Sequence, residues 1–518
     1  AQLEKRTDDA DFATALMYAL GAAQFRDLLK KSIDLPDQAT AQRLQAALGK
    51  VLGTASSRMT LTWRSELTAD LSGGRNYALS RALMYGKFDV DFLLDIARKI
   101  EAQDRKPWQV GEEFFPGAFN DSLVGVLTAL SRHPEAAQDF FVNDTEILRR
   151  LMTDRATADQ GKALSAALLA ATTTFRDHLG SPENPSRGYL SAKLTSELIE
   201  LAAKRINEGE HLRITPNSLS RIFASYIADL NRVAKPGSDR VGGVYTDNHP
   251  LLIGRQHWGA RLPDDATLRR LLQHIIKEDR EAFTILLGAQ TVWANMLLDA
   301  SAARLASDND RSYFSSTAQE IGAGFGLLTD AAGLARIGEG EELDQEQERN
   351  SKILIALINT GLSIPQHAGW PIVAGTVGAW TGLVEDSLKG DAREKAITAA
   401  NTQVTDTNLL IHQLAAQAML NHGLFGPSDP PGKNHPWSSL SNLRPSDDPR
   451  KSPNNFLGED GKTLLTPDAL LTRKDEGGNP IAWDAYRRWL YDGPAGELWA
   501  RVRTDLDSSF EKGFSKYR

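Results

Sequence analysis

From Ile353 to Val384 the chain carries no Asp, Glu, Lys or Arg, although 24% of its residues are charged overall. The stretch reads ILIALINTGLSIPQHAGWPIVAGTVGAWTGLV, two apolar runs hinged at Gly361, Pro365 and His367. Apolar residues at every angle around a helix demand burial on all sides, in a protein core or in lipid. Neither run reaches the roughly 18 uninterrupted apolar residues that argue for a membrane-spanning helix. Ile353, Ile355, Ile364, Trp370 and Trp380 are therefore expected in a buried hairpin. The alternative makes them contacts with a membrane or a partner after a trigger. The acidic run from Glu339 to Glu348 precedes the hairpin, and its loss of charge in acid would ease entry into lipid.

A chain of 518 residues has room for roughly three or four domains, and 41% hydrophobic residues supply a sizeable core. A net charge of −8 argues against a nucleic-acid partner, which selects strongly basic domains. The absence of cysteine excludes disulfides, thiolate metal sites and cysteine nucleophiles together. The first residues, AQLEKRTDDADF, have neither the basic start nor the apolar stretch of a secretory signal.

Helical periodicity dominates the rest. Asp8, Asp9 and Asp11 are placed to cap a helix whose stripe is Phe12, Leu16 and Leu20, continued by Leu28. Asp89 opens a helix with the stripe Phe92, Ile96 and Ile100, and Thr215-Pro216 is a helix start followed by Leu219, Ile222, Phe223, Tyr226, Ile227 and Leu230. Similar patterns occupy 121–142, 160–178, 189–207, 264–305, 313–336 and 392–421, while sustained period-two alternation is nearly absent. The fold class is all-α, a large multi-helix bundle. Glycine and proline divide it into a helical domain at 1–236, an irregular loop or short hairpin at 237–263, a second helical domain at 264–423 containing the apolar hairpin 352–384, and 424–518. In that last part nine prolines between 427 and 480 predict an extended arm without regular helices, and a Trp-rich terminal helix follows. Trp483, Trp489 and Trp499 are its candidate docking residues.

No reaction is fixed by a motif. Gly322, Gly324 and Gly326 imitate a phosphate loop, but helical residues precede them, so close helix packing is the expectation. There is no HExxH, nucleophile elbow, P-loop or kinase signature. No metal or cofactor is expected. Asp89, Asp91 and Asp95, and separately Asp308 and Asp310, lack the glycine and closing glutamate of a calcium loop and read as caps and solvated faces. His249, His257 and Trp258 share the irregular loop and are the polar site candidates there. Two export-like patterns, Tyr85 with Asp89 and Trp380 with Gly382, occur about once each by chance in a chain of this composition and decide nothing.

The segments LMYGKFDVDFLLDIARKI, ALSRHPEAAQDFF and NSLSRIFASYIADLNRVA, followed by the apolar stretch, occur in that order. Over about residues 10–425 the chain resembles the central region of large helical proteins from Streptomyces-like actinobacteria, a region of unassigned function that a WXG100-like hairpin often precedes. The resemblance implies a link to type VII-like secretion and to cell-surface or inter-bacterial biology. It supplies no catalytic residues. The expected function is a non-enzymatic helical scaffold or secreted effector body that binds a protein partner or itself. The alternatives are a membrane-inserting protein that uses 352–384, and a cryptic hydrolase or toxin with a site near His249, His257 or His435.

Overall fold

The computed structural model describes residues 3–72, 74–106, 121–235, 245–246, 257–309, 311–334, 407–425, 453–458, 463–465, 467–493 and 495–515. Among them are twenty α-helices and one two-stranded antiparallel ribbon, so the protein is an all-α, multi-helix structure. The chain divides into two compact units, Ala1–Ile222 and Phe223–Arg518.

The first unit contains α1 (Ala10–Leu20), α2 (Ala22–Ile33), α3 (Gln38–Ala55), α4 (Leu61–Leu67), α5 (Arg75–Leu83), α6 (Val90–Asp104), α7 (Ser122–Leu130), α8 (Pro134–Val142), α9 (Thr145–Thr153), α10 (Lys162–Thr173) and α11 (Arg187–Asn207); α12 (Pro216–Ser225) begins in it. Side-chain caps set most of the starts. Asp9, Asp37, Thr60, Asp89, Asp121, Asp144 and Ser186 each accept from a backbone N–H in the first turn that would otherwise lack a partner. Thr215 does the same for Ser218, at 3.4 Å.

Helix faces made of small residues let these helices approach closely. A Cβ at Gly49 of α3 would strike the backbone carbonyl of Ala82 on α5, so only glycine fits there. On the next face of α5, the Ser80 hydroxyl donates to the Ser122 carbonyl at the start of α7. Between α8, α10 and α11, the buried Gln138 Nε2 donates to the Arg187 carbonyl at 2.9 Å and to Ser191 Oγ at 2.8 Å. Arginines tie the ends of α6 and α9 together: Arg150 pairs with Glu101 and Asp104, and Arg155 with Asp104 and Asp121. Glu101 is 2% exposed, so its carboxylate is stable only because Arg105 and Arg150 both reach it.

His133 joins two of the quoted segments. The Phe88 N–H donates to its Nε2 at 2.9 Å, which places the ring proton on Nδ1, where it donates to the Ala129 carbonyl at 2.9 Å. His133→Ala strands the Phe88 amide and is expected to destabilise the first unit by about 1–3 kcal/mol, read as a lower midpoint in urea. His133→Gln, which keeps an acceptor, should recover part of that loss.

The second unit contains α13 (Ile227–Ala234), β1 (Tyr245–Thr246), β2 (Trp258–Gly259), α14 (Asp265–Glu278), α15 (Arg280–Asp308), α16 (Arg311–Leu334), α17 (Thr407–Asn421), α18 (Pro467–Thr472), α19 (Ile481–Asp492) and α20 (Gly496–Ser515). Its centre is the α16–α20 seam. A Cβ at Gly322 would lie 2.5 Å from the Leu506 carbonyl, and one at Gly513 would strike the carbonyl of Ala323. Ser315 donates to Asp505 at 2.6 Å near the start of the seam, so the two helices run in the same direction. Beside it, Asn231 and Gln290 exchange two side-chain hydrogen bonds of 2.6 and 2.8 Å while fully buried. Arg269 of α14 is also buried and reaches Asp265 on its own helix, Asp330 on α16 and the Gly513 carbonyl on α20.

Several elements differ from the sequence expectation for local reasons. The first stripe is displaced: α1 ends before Gly21, and Ala13 and Met17 are its buried residues while Phe12, Leu16 and Leu20 are not. The 121–142 pattern breaks before Pro134, which starts α8. The 264–305 pattern breaks at Asp279, whose backbone is extended and whose side chain caps α15 at the Glu281 N–H. Tyr226 separates α12 from α13, although all six predicted core residues around it are buried. The 237–263 segment contributes a ribbon that pairs Tyr245 with Gly259 and Thr246 with Trp258. The proline-rich arm is not free of helix, because Pro467 occupies the first position of the six-residue α18, where its missing N–H costs nothing. The Trp-rich terminus is two helices, parted after Asp492 at Gly493.

Candidate functional site

α17 concentrates the unusual polar chemistry. Its sequence, TNLLIHQLAAQAMLN, has no charged residue, and from Ile411 to Leu420 every side chain except the half-buried His412 is buried. It packs against α15, α16 and α20. A helix covered on all sides is expected to be apolar, yet this one carries His412, Gln413 and Gln417, with His422 just past its end.

His412 Nε2 meets Asp507 Oδ1 of α20 at 2.7 Å, and the imidazole packs edge-on against Trp499 with ring centroids 6.0 Å apart. Arg503 holds the other oxygen of Asp507 at 3.2 Å. Burial pushes the Asp507 carboxyl up, but the hydrogen bond and charge of His412, joined by those of Arg503, outweigh it and hold the group below the usual carboxylate range. At the other end, His422 Nε2 meets Asp299 Oδ1 of α15 at 2.8 Å. Gln417 is occupied as well: its Oε1 accepts from the Leu464 N–H at 2.7 Å, and its Nε2 donates to Asn421 at 2.7 Å. Gln413 differs, being fully buried with both amide atoms unpartnered.

Because the folded value of Asp507 is depressed, its contribution is present above the unfolded carboxylate value and is lost as pH falls through the folded one. Acid titration should therefore weaken the second unit below about pH 4. Asp507→Asn should be less stable at neutral pH, with a shallower acid limb, when unfolding is followed by Trp fluorescence.

Next to α17 lies an aromatic cluster. Trp489 stands 4.0 Å from Phe425 and 4.9 Å from Phe456 between ring centroids, Phe456 is 5.8 Å from Tyr486, and the half-buried Trp483 is 5.8 Å from Tyr486 at its edge. The Tyr486 hydroxyl and the indole N–H groups of Trp489 and Trp499 have no hydrogen-bond partner. Burial, with Tyr491 adding to it, pushes the Tyr486 phenol well above its usual range.

The docking candidates Trp483, Trp489 and Trp499 thus belong to the second unit, the first at the rim and the other two in the core. His257 and Trp258 are buried beside and within β2. Ile353, Ile355, Ile364, Trp370, Trp380, His249 and His435 lie outside the described residues. The glycines at 322 and 324 are helix contacts: Gly324 faces the Asn231–Gln290 pair. Sequence reasoning placed a helical pattern over 392–421 but missed the polar residues of α17, although the spacing His-Gln-x₃-Gln-x₄-His inside an apolar helix was a readable signal.

The two imidazoles stand about three turns apart, roughly 15 Å, and each holds one carboxylate. They converge on no common atom, and their geometry is that of two ties between helices. Among the described residues no group of three or more His, Asp or Glu could hold a metal ion, and no helix is long and apolar enough to cross a membrane.

Fold and interior together define an all-α protein whose helices are tied by buried side-chain pairs. Residues 83–469 match the model of a family of unknown function (DUF6571), and the chain belongs to that family. No curated protein and no solved structure matches it.

Proposed function

We propose that the chain is a non-enzymatic helical scaffold or effector body, acting through its surfaces and through assembly with a protein partner or a second copy. The observation that supports this reading is how its reactive side chains are used. His133, His412 and His422 are each engaged in holding one element of the fold to another, as are the aspartates that face the last two. An active site needs such groups converging on one atom with a hydrogen-bonding position left for the substrate.

The finer reading rests on the sequence resemblance: an actinobacterial protein of the secretion-associated, WXG100-linked kind, placed outside the cell or at its surface. Light scattering of the purified full chain tests the scaffold reading, with a discrete oligomer expected and turnover by a monomer on a hydrolase substrate panel counting against it. Export is tested separately, by comparing culture supernatants of strains with and without a functional type VII ATPase. Equal amounts in both would remove the secretion link and leave the scaffold reading standing.

A further inference from the structure

We infer that the guanidinium of Arg81, with the phenol hydroxyls of Tyr77 and Tyr85, forms a binding site for a phosphate group on the outer face of α5. The three residues stand four apart, so they share one face of α5 and of the turn that follows it. Arg81 Nη1 donates to Tyr77 Oη at 3.0 Å, and the Tyr85 phenol hydrogen-bonds the same guanidinium. All three side chains are half-buried, so a solute reaches them from outside.

What singles out Arg81 is its missing counter-ion. Among the described residues no carboxylate pairs with it, and its Nε is buried without a partner. Arg26, Arg98 and Arg132 of the same unit also lack a carboxylate, but each donates to a backbone carbonyl. Arg81 has only neutral hydroxyls. Taking a cation partly out of water without an opposite charge works against folding, and an anion at the site offsets that cost. The surroundings keep the site positive. α3 lies against Ala82 and α7 against Ser80, and α3, α5 and α7 contain no Asp or Glu, in a chain of net charge −8. The nearest acids along the chain are occupied: Asp70 pairs with Arg75, and Asp89 caps α6 beside Arg64. Arg132 brings a second cation to the Met84 carbonyl, next to Tyr85.

A phenol oxygen that accepts from Arg81 keeps its own hydrogen to donate. The site therefore offers one positive charge and three donor groups. A tetrahedral phosphate has an oxygen for each of them, and the planar guanidinium fork matches its geometry. The inference stands apart from the scaffold reading, since it concerns only the first unit.

Line broadening of inorganic phosphate in phosphorus NMR, titrated with the full chain at low ionic strength, tests this. Saturable binding with a Kd of about 1 mM or lower is expected. Arg81→Gln should weaken it at least about tenfold. Arg149→Gln, the same loss of charge on α9, should leave it unchanged. The double variant Y77F/Y85F keeps the cation and should weaken binding several-fold, which keeps the test open should Arg81→Gln fold poorly. The phosphate is that of a free solute or of a phospholipid headgroup, and vesicles of phosphatidylcholine with and without phosphatidic acid separate the two. Pelleting of the chain with the phosphatidic acid vesicles, lost in Arg81→Gln, assigns a headgroup; phosphate binding without pelleting assigns a free solute. Absence of saturable binding overturns the inference, as does binding that survives Arg81→Gln. Acetate displacing phosphate as effectively as sulfate does would also overturn it, because two oxygens would then suffice.

Discussion

A chain ended at residue 469, where the family match stops, is expected to retain the cooperative unfolding transition of its first unit and to lose that of its second. The cut removes α19 and α20, and with them Tyr486, Trp489, Trp499, Val502, Leu506 and Phe510, all buried. Burying a single large apolar side chain contributes about 1.5–3 kcal/mol, so six together are comparable to the 5–15 kcal/mol by which a domain is stable. The cut also uncovers the small-residue face of α16 and leaves Arg269 without the Gly513 carbonyl. Differential scanning calorimetry of the full and shortened chains checks this. A shortened chain with both transitions intact would show that the second unit does not depend on its C-terminal helices.

Arg269→Met is expected to cost about 3–5 kcal/mol in the second unit, more than any surface substitution. The guanidinium stands between Asp265 and Asp330, and methionine would leave both carboxylates buried without their cation. The triple variant Arg269→Met, Asp265→Leu, Asp330→Leu should recover most of the loss, since replacing a whole buried ion cluster by apolar groups is often neutral. Urea midpoints separate the two cases: if the single and triple variants are equally unstable, the cost lies in packing and not in the stranded charges.

Much of the architecture was legible in residue spacing. Asp89, Phe92, Ile96 and Ile100 act as a cap and a stripe because cap chemistry and the 3.6-residue period are local properties. Breaks were harder to see. Asp279 and Tyr226 interrupt continuous apolar patterns with extended or irregular backbone; Asp279 carries a local cap signal that the continuous pattern masked, whereas Tyr226 is itself one of the core residues. The first stripe was misread because small Ala13 takes the core-facing position that a larger Phe12 suggested for itself. The site was legible as composition only. A histidine in an apolar helix can be seen in the chain, but Asp507 and Asp299 lie 95 and 123 residues from their imidazoles, so the pairing is a property of the fold. Arg269 was invisible for the same reason, its carbonyl partner standing 244 positions away.

Those separations also set when each unit can form during synthesis. In the first unit many tertiary side-chain ties span some 30 to 50 residues: 33 from Gln138 to Ala171, 42 from Ser80 to Ser122 and 49 from Arg150 to Glu101. Each new helix therefore finds its neighbour soon after it emerges, and the unit can grow in the order in which it is translated. In the second unit α16 must wait for α20, and Ser315 for Asp505, 190 residues later. The α16 face at Gly322 and Ala323 stays without its cover until α20, with Leu506 and Phe510, has been made. For that interval, some ten seconds or more at ordinary translation rates, the nascent chain presents an apolar surface that a chaperone, or a second nascent copy, can reach first.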